Sequence, residues 1–393
     1  MREAVIVSMA RTPVGKCRGK LAPVPPEQLG AVVLKRVCED IDLDTTQIDE
    51  VIMGNLWAHD IAGMGRVALL EAGLPVTIPS LRIDRQCSSA LDSIALAAMF
   101  VQTGHGDIVI GGGAESDSRR PYVMFKNEVE YSVKPPVFLT QYKASTKAIG
   151  DPFMGVTAEN LAEQYGITRQ EMDEYSAESH QKAEKAWQKG YLAKNVVPVK
   201  VSTKKGFYIF DKDETVRPET TVESLSKLPA LFKKEDGKVT AGNSCPMSDG
   251  ASAAVIMSME KATELGLTPL AKYVDWAAVG VDPNYMGIGP AFAIRKLLKQ
   301  VDLTLDDIDL FEINEAFASQ TLACVIELGL DKNKLNIDGG AIALGHPLGA
   351  TGGVLALKLI NQLRRENKRY GIAAFCCGGG QGAAVLFENI NVK

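Results

Sequence analysis

No uninterrupted apolar run in this 393-residue chain approaches the roughly 18–20 residues needed to cross a bilayer, so no membrane-spanning segment is expected. The opening Met1-Arg2-Glu3-Ala4-Val5-Ile6-Val7 is too short in apolar residues for a signal peptide and reads as a first strand. Cysteine is sparse: there are seven, an odd number, with no C-x-x-C pair, which argues against a secreted disulfide scaffold or a zinc ribbon. An excess of positive charge is also missing. Lys and Arg number 43 against 48 Asp and Glu, for a formal charge of −5, and the mixed signs exclude a general nucleic-acid binder. With 46% hydrophobic residues, 36 Gly and 18 Pro, the composition is neither disordered nor fibrous. A cytoplasmic globular protein of roughly two or three domains is expected.

What the chain does contain is a repeat. The segment from Ile41 to Asn55 overlays the segment from Val301 to Glu315. Both run through an acidic turn and Ile-Asp into an apolar strand that ends on polar residues. An apolar helix precedes each copy, at Leu29–Val37 and at Ala293–Val301. Further on, the strand before Gly111-Gly112-Gly113 resembles the strand before Gly378-Gly379-Gly380. Two matching segments in one order predict duplicated α/β domains rather than a repeat array. The stretch from Arg119 to about Val239 is more polar and reads as an insertion carried by the first half. It holds a helix start, Thr168-Arg169-Gln170-Glu171, with the spacing of a capping box. Insertions of this kind commonly supply a lid or ligand contacts.

Three places could hold chemistry. Cys87 follows the extended Leu81-Arg82-Ile83 and precedes helical spacing from Leu91 to Met99, which puts it at a strand-to-helix turn. Unpaired N–H groups and the helix dipole there would favour the thiolate; a buried cysteine in a small-residue packing site fits the same segment. His346 lies in a loop with six glycines between Asp338 and Gly353. The loop lacks Gly-Lys-[Ser/Thr] and G-x-G-x-x-G, so nucleotide readings are weak, and the histidine suits either a cap or a base. The repeat offset sets Cys87 opposite Pro347, beside His346, so a pseudo-twofold fold would bring the two turns together. Asn314 ends the repeated strand of the second half, where it could orient a water or a carbonyl oxygen or merely satisfy a turn. Cys376 and Cys377 are neighbours on a strand and should point to opposite faces, one toward a site and one into packing. Cys17, Cys38 and Cys324 read as small core residues.

Asp84-Arg85-Gln86-Cys87-Ser88-Ser89, Asn314-Glu315-Ala316-Phe317, Gly345-His346-Pro347-Leu348-Gly349-Ala350-Thr351-Gly352 and Cys376-Cys377-Gly378-Gly379-Gly380 together resemble the thiolase family. The resemblance spans essentially the whole chain, including Ala114-Glu115-Ser116, Met154–Asn160 and Thr240–Asn243. It implies a five-layered α-β-α-β-α fold of two duplicated halves with an inserted loop domain. The expected division is 1–117 with 248–267, then 118–247 as the loop domain, then 268–393. It implies acyl transfer through an acyl-cysteine, with Cys87 as nucleophile and His346 as the base that takes its proton. Cys376 would be the acid/base at the substrate α-carbon. His346 with a water held by Asn314 would form one oxyanion site, and the N–H groups of Cys87 and Gly378 the other. Acetyl-CoA, acetoacetyl-CoA and CoA are the implied partners, with coenzyme A as substrate rather than cofactor, no metal, and a homodimer or homotetramer. Arg217 resembles an arginine near the CoA adenine, and Met154 and Met286 resemble acyl-pocket residues; a solvated arginine and core methionines fit equally.

The departures concern the substrate. Phe153 stands where short-chain biosynthetic members have His, Cys245 stands where a small Ser is frequent near the CoA arm, and Val123–Gly150 lacks the glycine-rich pattern of the tetramer loop. Condensation of two acetyl-CoA to acetoacetyl-CoA is the first reading. A degradative 3-ketoacyl-CoA thiolase acting on longer chains is the alternative.

Overall fold

The computed structural model describes residues 2–126, 129 and 134–392. Its first half runs β1 (Ala4–Arg11), α1 (Pro26–Glu39), β2 (Glu50–Gly54), α2 (Met64–Glu71), β3 (Ser80–Ile83), α3 (Ser89–Thr103) and β4 (Ile108–Ser116). After the inserted stretch, β5 (Ser248–Ser258) returns to the same sheet. The second half runs β6 (Ala271–Gly280), α6 (Gly289–Val301), β7 (Leu310–Ile313), α7 (Ala318–Leu328), α8 (Thr351–Arg365), β8 (Tyr370–Cys377) and β9 (Gln381–Glu388).

The strand order β3-β2-β4-β5-β1 in the first half is answered by β7-β8-β9-β6 in the second, and β1 pairs with β6 where they meet. β2 is parallel to both neighbours, as β7 is to β8. A parallel bridge from Phe311 to Leu335 takes the place that β3 holds beside β2. The duplication seen in the sequence is therefore a duplication of topology.

Period-two alternation sorts the strand residues into layers. Val5, Ile110 and Val255 face α1 and α2 in one buried cluster. Ile6, Val109 and Ile256 face the opposite way, into a middle cluster with Leu91, Ile94, Leu355 and Leu359 of α3 and α8. In the second half Phe375 and Val385 join that middle cluster, while Ala374, Ala384 and Leu386 face α6 and α7. Helix, sheet, helix pair, sheet and helix give the five layers that the resemblance implied. β1, β4 and β5 are buried along their whole length, as two covered faces require.

The first half's three glycines behave differently from the expectation of a strand that ends on them. β4 passes straight through Gly111–Gly113, and its pairing with β5 continues to Ser116. A Cβ on Gly111 would sit 2.7 Å from the Cα of Ile94, so the missing side chains let α3 press onto the sheet. In the second half the strand does end, and Gly379 and Gly380 turn the chain at φ 83° and 80°.

Between β4 and β5 lie α4 (Met154–Gln164), α5 (Arg169–Gln188), the short helix Val222–Ser226 and the hairpin Val199–Thr203 with Gly206–Phe210. The capping box is present: Thr168 accepts from the Glu171 backbone and Glu171 reaches back. Arg11 and Asp213 form a sealed ion pair at 2.7 Å that ties this stretch to β1. Within Val123–Gly150 the described residues form a small pairing of Met124–Phe125 with Val137–Phe138; residues 127–128 and 130–133 lie outside the described set.

Candidate active site

Cys87 sits in the turn between β3 and α3, as its sequence context predicts. Gln86 adopts a left-handed φ of 51°, and side chains hold it there. Asp84 accepts its N–H at 2.7 Å, and the Ser89 hydroxyl donates to its carbonyl at 2.6 Å. The backbone N–H groups of Gly378 and of Cys87 itself face the sulfur. One expectation fails here. Those N–H groups stabilise a thiolate, but burial outweighs them and pushes the Cys87 thiol up to about 12. At neutral pH the nucleophile candidate rests as a thiol.

His346 supplies what such a thiol needs. It is 3% exposed, and burial drives its pKa down to about 3, so the ring is neutral. The Thr351 hydroxyl donates to the Pro347 carbonyl at 2.8 Å, which leaves its oxygen to accept from His346 Nδ1–H at 2.7 Å. That fixes the tautomer and leaves Nε2 with its lone pair. Asn314 Nδ2 approaches Nε2 at 3.3 Å from the end of β7. The other atom of that amide, Oδ1, is buried with no hydrogen-bond partner among the described residues.

Backbone contact between α3 and α8 brings the two turns together. A Cβ on Gly352 would collide with the backbone N of Leu91, and one on Gly113 would collide with the carbonyl oxygen of Gly349. The close approach permitted by the histidine loop's glycines is thus to a neighbouring segment. The helices begin at Ser89 and Thr351, so the structural offset here exceeds the sequence offset by two residues and Cys87 corresponds to Gly349 rather than Pro347.

Cys376 and Cys377 point to opposite faces as predicted. Cys376 faces the outer cluster of the second half, with Met286, Ala316 and Phe317. Cys377 faces the middle cluster, against the Ser88 hydroxyl. Both are fully buried, and burial together with the Cys87 sulfur raises each thiol's pKa. Cys245 joins the same group. Its N–H donates to the Ala316 carbonyl at 3.0 Å, and burial and then Cys87 raise its pKa. Bridges from Ser244 to Phe317 and from Met247 to His346 hold its loop against the site.

Met154 packs against the cluster that contains Met286 and Cys376. Phe153 is 58% exposed at the start of α4. Arg217 is an exposed loop residue whose backbone N–H donates to His180 Nδ1 at 3.2 Å. Cys38 and Cys324 are buried as expected, whereas Cys17 is only half-buried, because it follows the short strand that pairs with β5 at the sheet's end.

Two carboxylates that the motifs contain but to which the sequence assigned no role, Glu115 and Glu315, hold these loops. Glu115 accepts from Leu56 N at 2.9 Å, from Asn55 Nδ2 at 2.9 Å and from Gly349 N at 3.2 Å, and burial lifts its pKa to about 8. Glu315 accepts from Tyr175 and Ser179 of α5 at 2.8 and 2.7 Å, which fastens the inserted stretch to the site. A carboxylate directly after a strand-end Asn was the one available signal.

Residues 4–260 match the thiolase N-terminal domain and residues 267–389 the thiolase C-terminal domain. The chain is 45% identical to a 3-ketoacyl-CoA thiolase of Bacillus subtilis, covering 99% of this chain and 100% of that one. It is 43% identical to an acetyl-CoA acetyltransferase of Pseudomonas aeruginosa, covering 98% and 99%. The crystal structure of the Bacillus anthracis acetyl-CoA acetyltransferase superposes with a TM-score of 0.94 at 41% identity, covering 99% of each chain. With both halves matched in sequence and the whole chain matched in fold, this protein belongs to the thiolase family and is an acyltransferase.

Proposed function

We propose that the chain makes and breaks the carbon–carbon bond of short 3-ketoacyl-CoA thioesters, with acetoacetyl-CoA and two acetyl-CoA as its first substrate pair. In thiolysis, Cys87 Sγ attacks the 3-keto carbon as its proton passes to His346 Nε2. The C2–C3 bond then breaks, and Cys376 gives its proton to the departing carbanion as acetyl-CoA leaves. CoA thiol gives its proton to the Cys376 thiolate and attacks the acyl-Cys87 thioester, and His346 returns its proton to the departing Cys87 sulfur as the shortened acyl-CoA, here a second acetyl-CoA, is released. Condensation runs the same steps backward, with Cys376 removing the α-proton.

The observation that carries this reading is that His346 is neutral with its tautomer fixed, while burial keeps the Cys87 thiol protonated. Neither group is charged at rest, so attack and proton transfer belong to one event. Developing negative charge on oxygen would be met in two places: by the N–H groups of Cys87 and Gly378, and by His346 with a water held by Asn314. Each such donor is typically worth about 2.7–4 kcal/mol of barrier.

Residues 118–247 would serve as the loop domain that receives CoA, between 1–117 with 248–267 and 268–393. Arg217 would lie toward the adenine and Cys245 toward the pantetheine arm. Met154 and Met286 would line the acyl pocket, with Phe153 at its edge. A cytoplasmic homodimer or homotetramer is the assembly that goes with this reading.

A longer acyl chain is the second reading, favoured by Phe153 and by the near-equal identity to relatives named for both activities. Steady-state thiolysis of acetoacetyl-CoA beside 3-ketohexanoyl-CoA and 3-ketooctanoyl-CoA separates the two. A higher kcat/KM for the four-carbon substrate is the expected result. Preference for the longer chains transfers the assignment to the degradative reading, and no turnover of any of them overturns both.

A further inference from the structure

The mechanism leaves one buried carboxylate near the nucleophile unused. Asp92, on the first turn of α3, is 7% exposed, and its two oxygens reach three groups. Oδ1 accepts from Trp276 Nε1–H at 2.7 Å, and Oδ2 accepts from the Ser88 hydroxyl. Oδ2 also pairs with Arg85 Nε at 3.1 Å. Two of these partners bracket Cys87 in sequence, and the third belongs to β6 of the other half. The Arg85 guanidinium also lies 5.4 Å from the Trp276 ring centre and donates to Gln381 Oε1 at 3.3 Å. Gln381 is the register partner of Cys377, the residue before Gly378. Ser88 in turn touches the Cys377 thiol. One carboxylate therefore links both flanks of Cys87 to the strand pair that presents the Gly378 N–H.

The left-handed Gln86 makes that linkage consequential. A non-glycine residue at φ 51° is disfavoured on its own and persists only where neighbours over-determine it. Arg85 and Ser88 lie on either side of it, and Asp92 holds both.

We propose that Asp92 is a positioning residue for the acyl-transfer step, fixing the Arg85–Ser88 turn so that Cys87 Sγ stays against the Gly378 N–H. The inference rests on Cys87 being the nucleophile. A small displacement of a reacting atom lowers a rate far more than it lowers substrate affinity.

The test is single-turnover acylation from acetoacetyl-CoA in four variants: Asp92→Asn, Arg85→Gln, the double variant and Trp276→Phe. Asp92→Asn and Arg85→Gln are each expected to slow acylation roughly tenfold with KM unchanged within about twofold. The double variant should be no slower than the worse single, because both remove one interaction. Trp276→Phe keeps the ring beside Arg85 and loses only the Nε1 donor, for a loss of roughly threefold. It sits on another strand and stands in if the Asp92 variants fail to fold. Multiplying single effects in the double variant would overturn the proposal, as would unchanged acylation in variants whose melting temperature falls. An acyl adduct surviving in Cys87→Ala would instead overturn the nucleophile assignment, so the two failures are distinguishable.

Discussion

The two halves share a frame and use its glycines in opposite ways. In the first half, Gly111–Gly113 lie within β4, where the bare backbone of Gly111 and Gly113 admits α3 and the Gly349 carbonyl on one and the same face. In the second half, the corresponding strand stops at Cys377 and Gly378–Gly380 form the turn that offers an N–H to Cys87. The loops before the middle helices diverge in the same manner. One is a short turn that carries a sulfur, and the other is a glycine-rich loop that encloses an imidazole. Duplication supplied two corresponding turns, and in the proposed reading divergence gave one a nucleophile and the other a base.

The widest break in that comparison is Cys376→Ser. It removes the acid/base proposed for the second half and leaves Cys87 and His346 in place. Acyl-Cys87 formation from acetyl-CoA should persist, while acetoacetyl-CoA synthesis should fall by roughly 10²–10⁴. Single-turnover acylation beside steady-state condensation measures both, and near-normal condensation would move the acid/base role elsewhere.

A smaller effect separates the halves by pH. Burial lowers the His346 pKa to about 3, below its ordinary 6.5, so between those values the unfolded chain binds a proton that the folded chain does not. The stability that comes from keeping the ring neutral is full above about pH 6.5 and is lost as pH falls toward 3. The loss amounts to at most about 1.4 kcal/mol per pH unit. His346→Gln should remove that slope, and Cys87→Ala should not, since its thiol is protonated in both states there. Urea unfolding of all three proteins at pH 7 and pH 5 gives the comparison. Equal slopes in wild type and His346→Gln would contradict a neutral buried ring.

Local pattern made much of this legible. The strand-to-helix turn at Cys87, the polar end of β7 at Asn314, the opposed faces of Cys376 and Cys377 and the Thr168–Glu171 cap all follow from spacing along the chain. The thiolate expectation failed because a helix start is visible in sequence and the burial around it is not. Groups that act across the fold were hidden for the same reason. Glu115 meets Gly349, Trp276 meets Asp92, and Tyr175 meets Glu315 only after the sheets have formed. Residue type alone gave Thr351 no role either. Its hydroxyl matters because the chain returns it to His346 Nδ1. Exposed Phe153 and Arg217 show the converse: motif position named them, and packing leaves their surroundings open to solvent.

In the proposed mechanism one half supplies the nucleophile and the other activates it. Peptide mass mapping after brief exposure to acetyl-CoA tests it most directly, on wild type, Cys87→Ala and Cys376→Ser. A single acetyl group is expected on the Cys87 peptide in wild type and in Cys376→Ser, and none in Cys87→Ala. An acetyl group on Cys245 or Cys376 that persists in Cys87→Ala would contradict that mechanism.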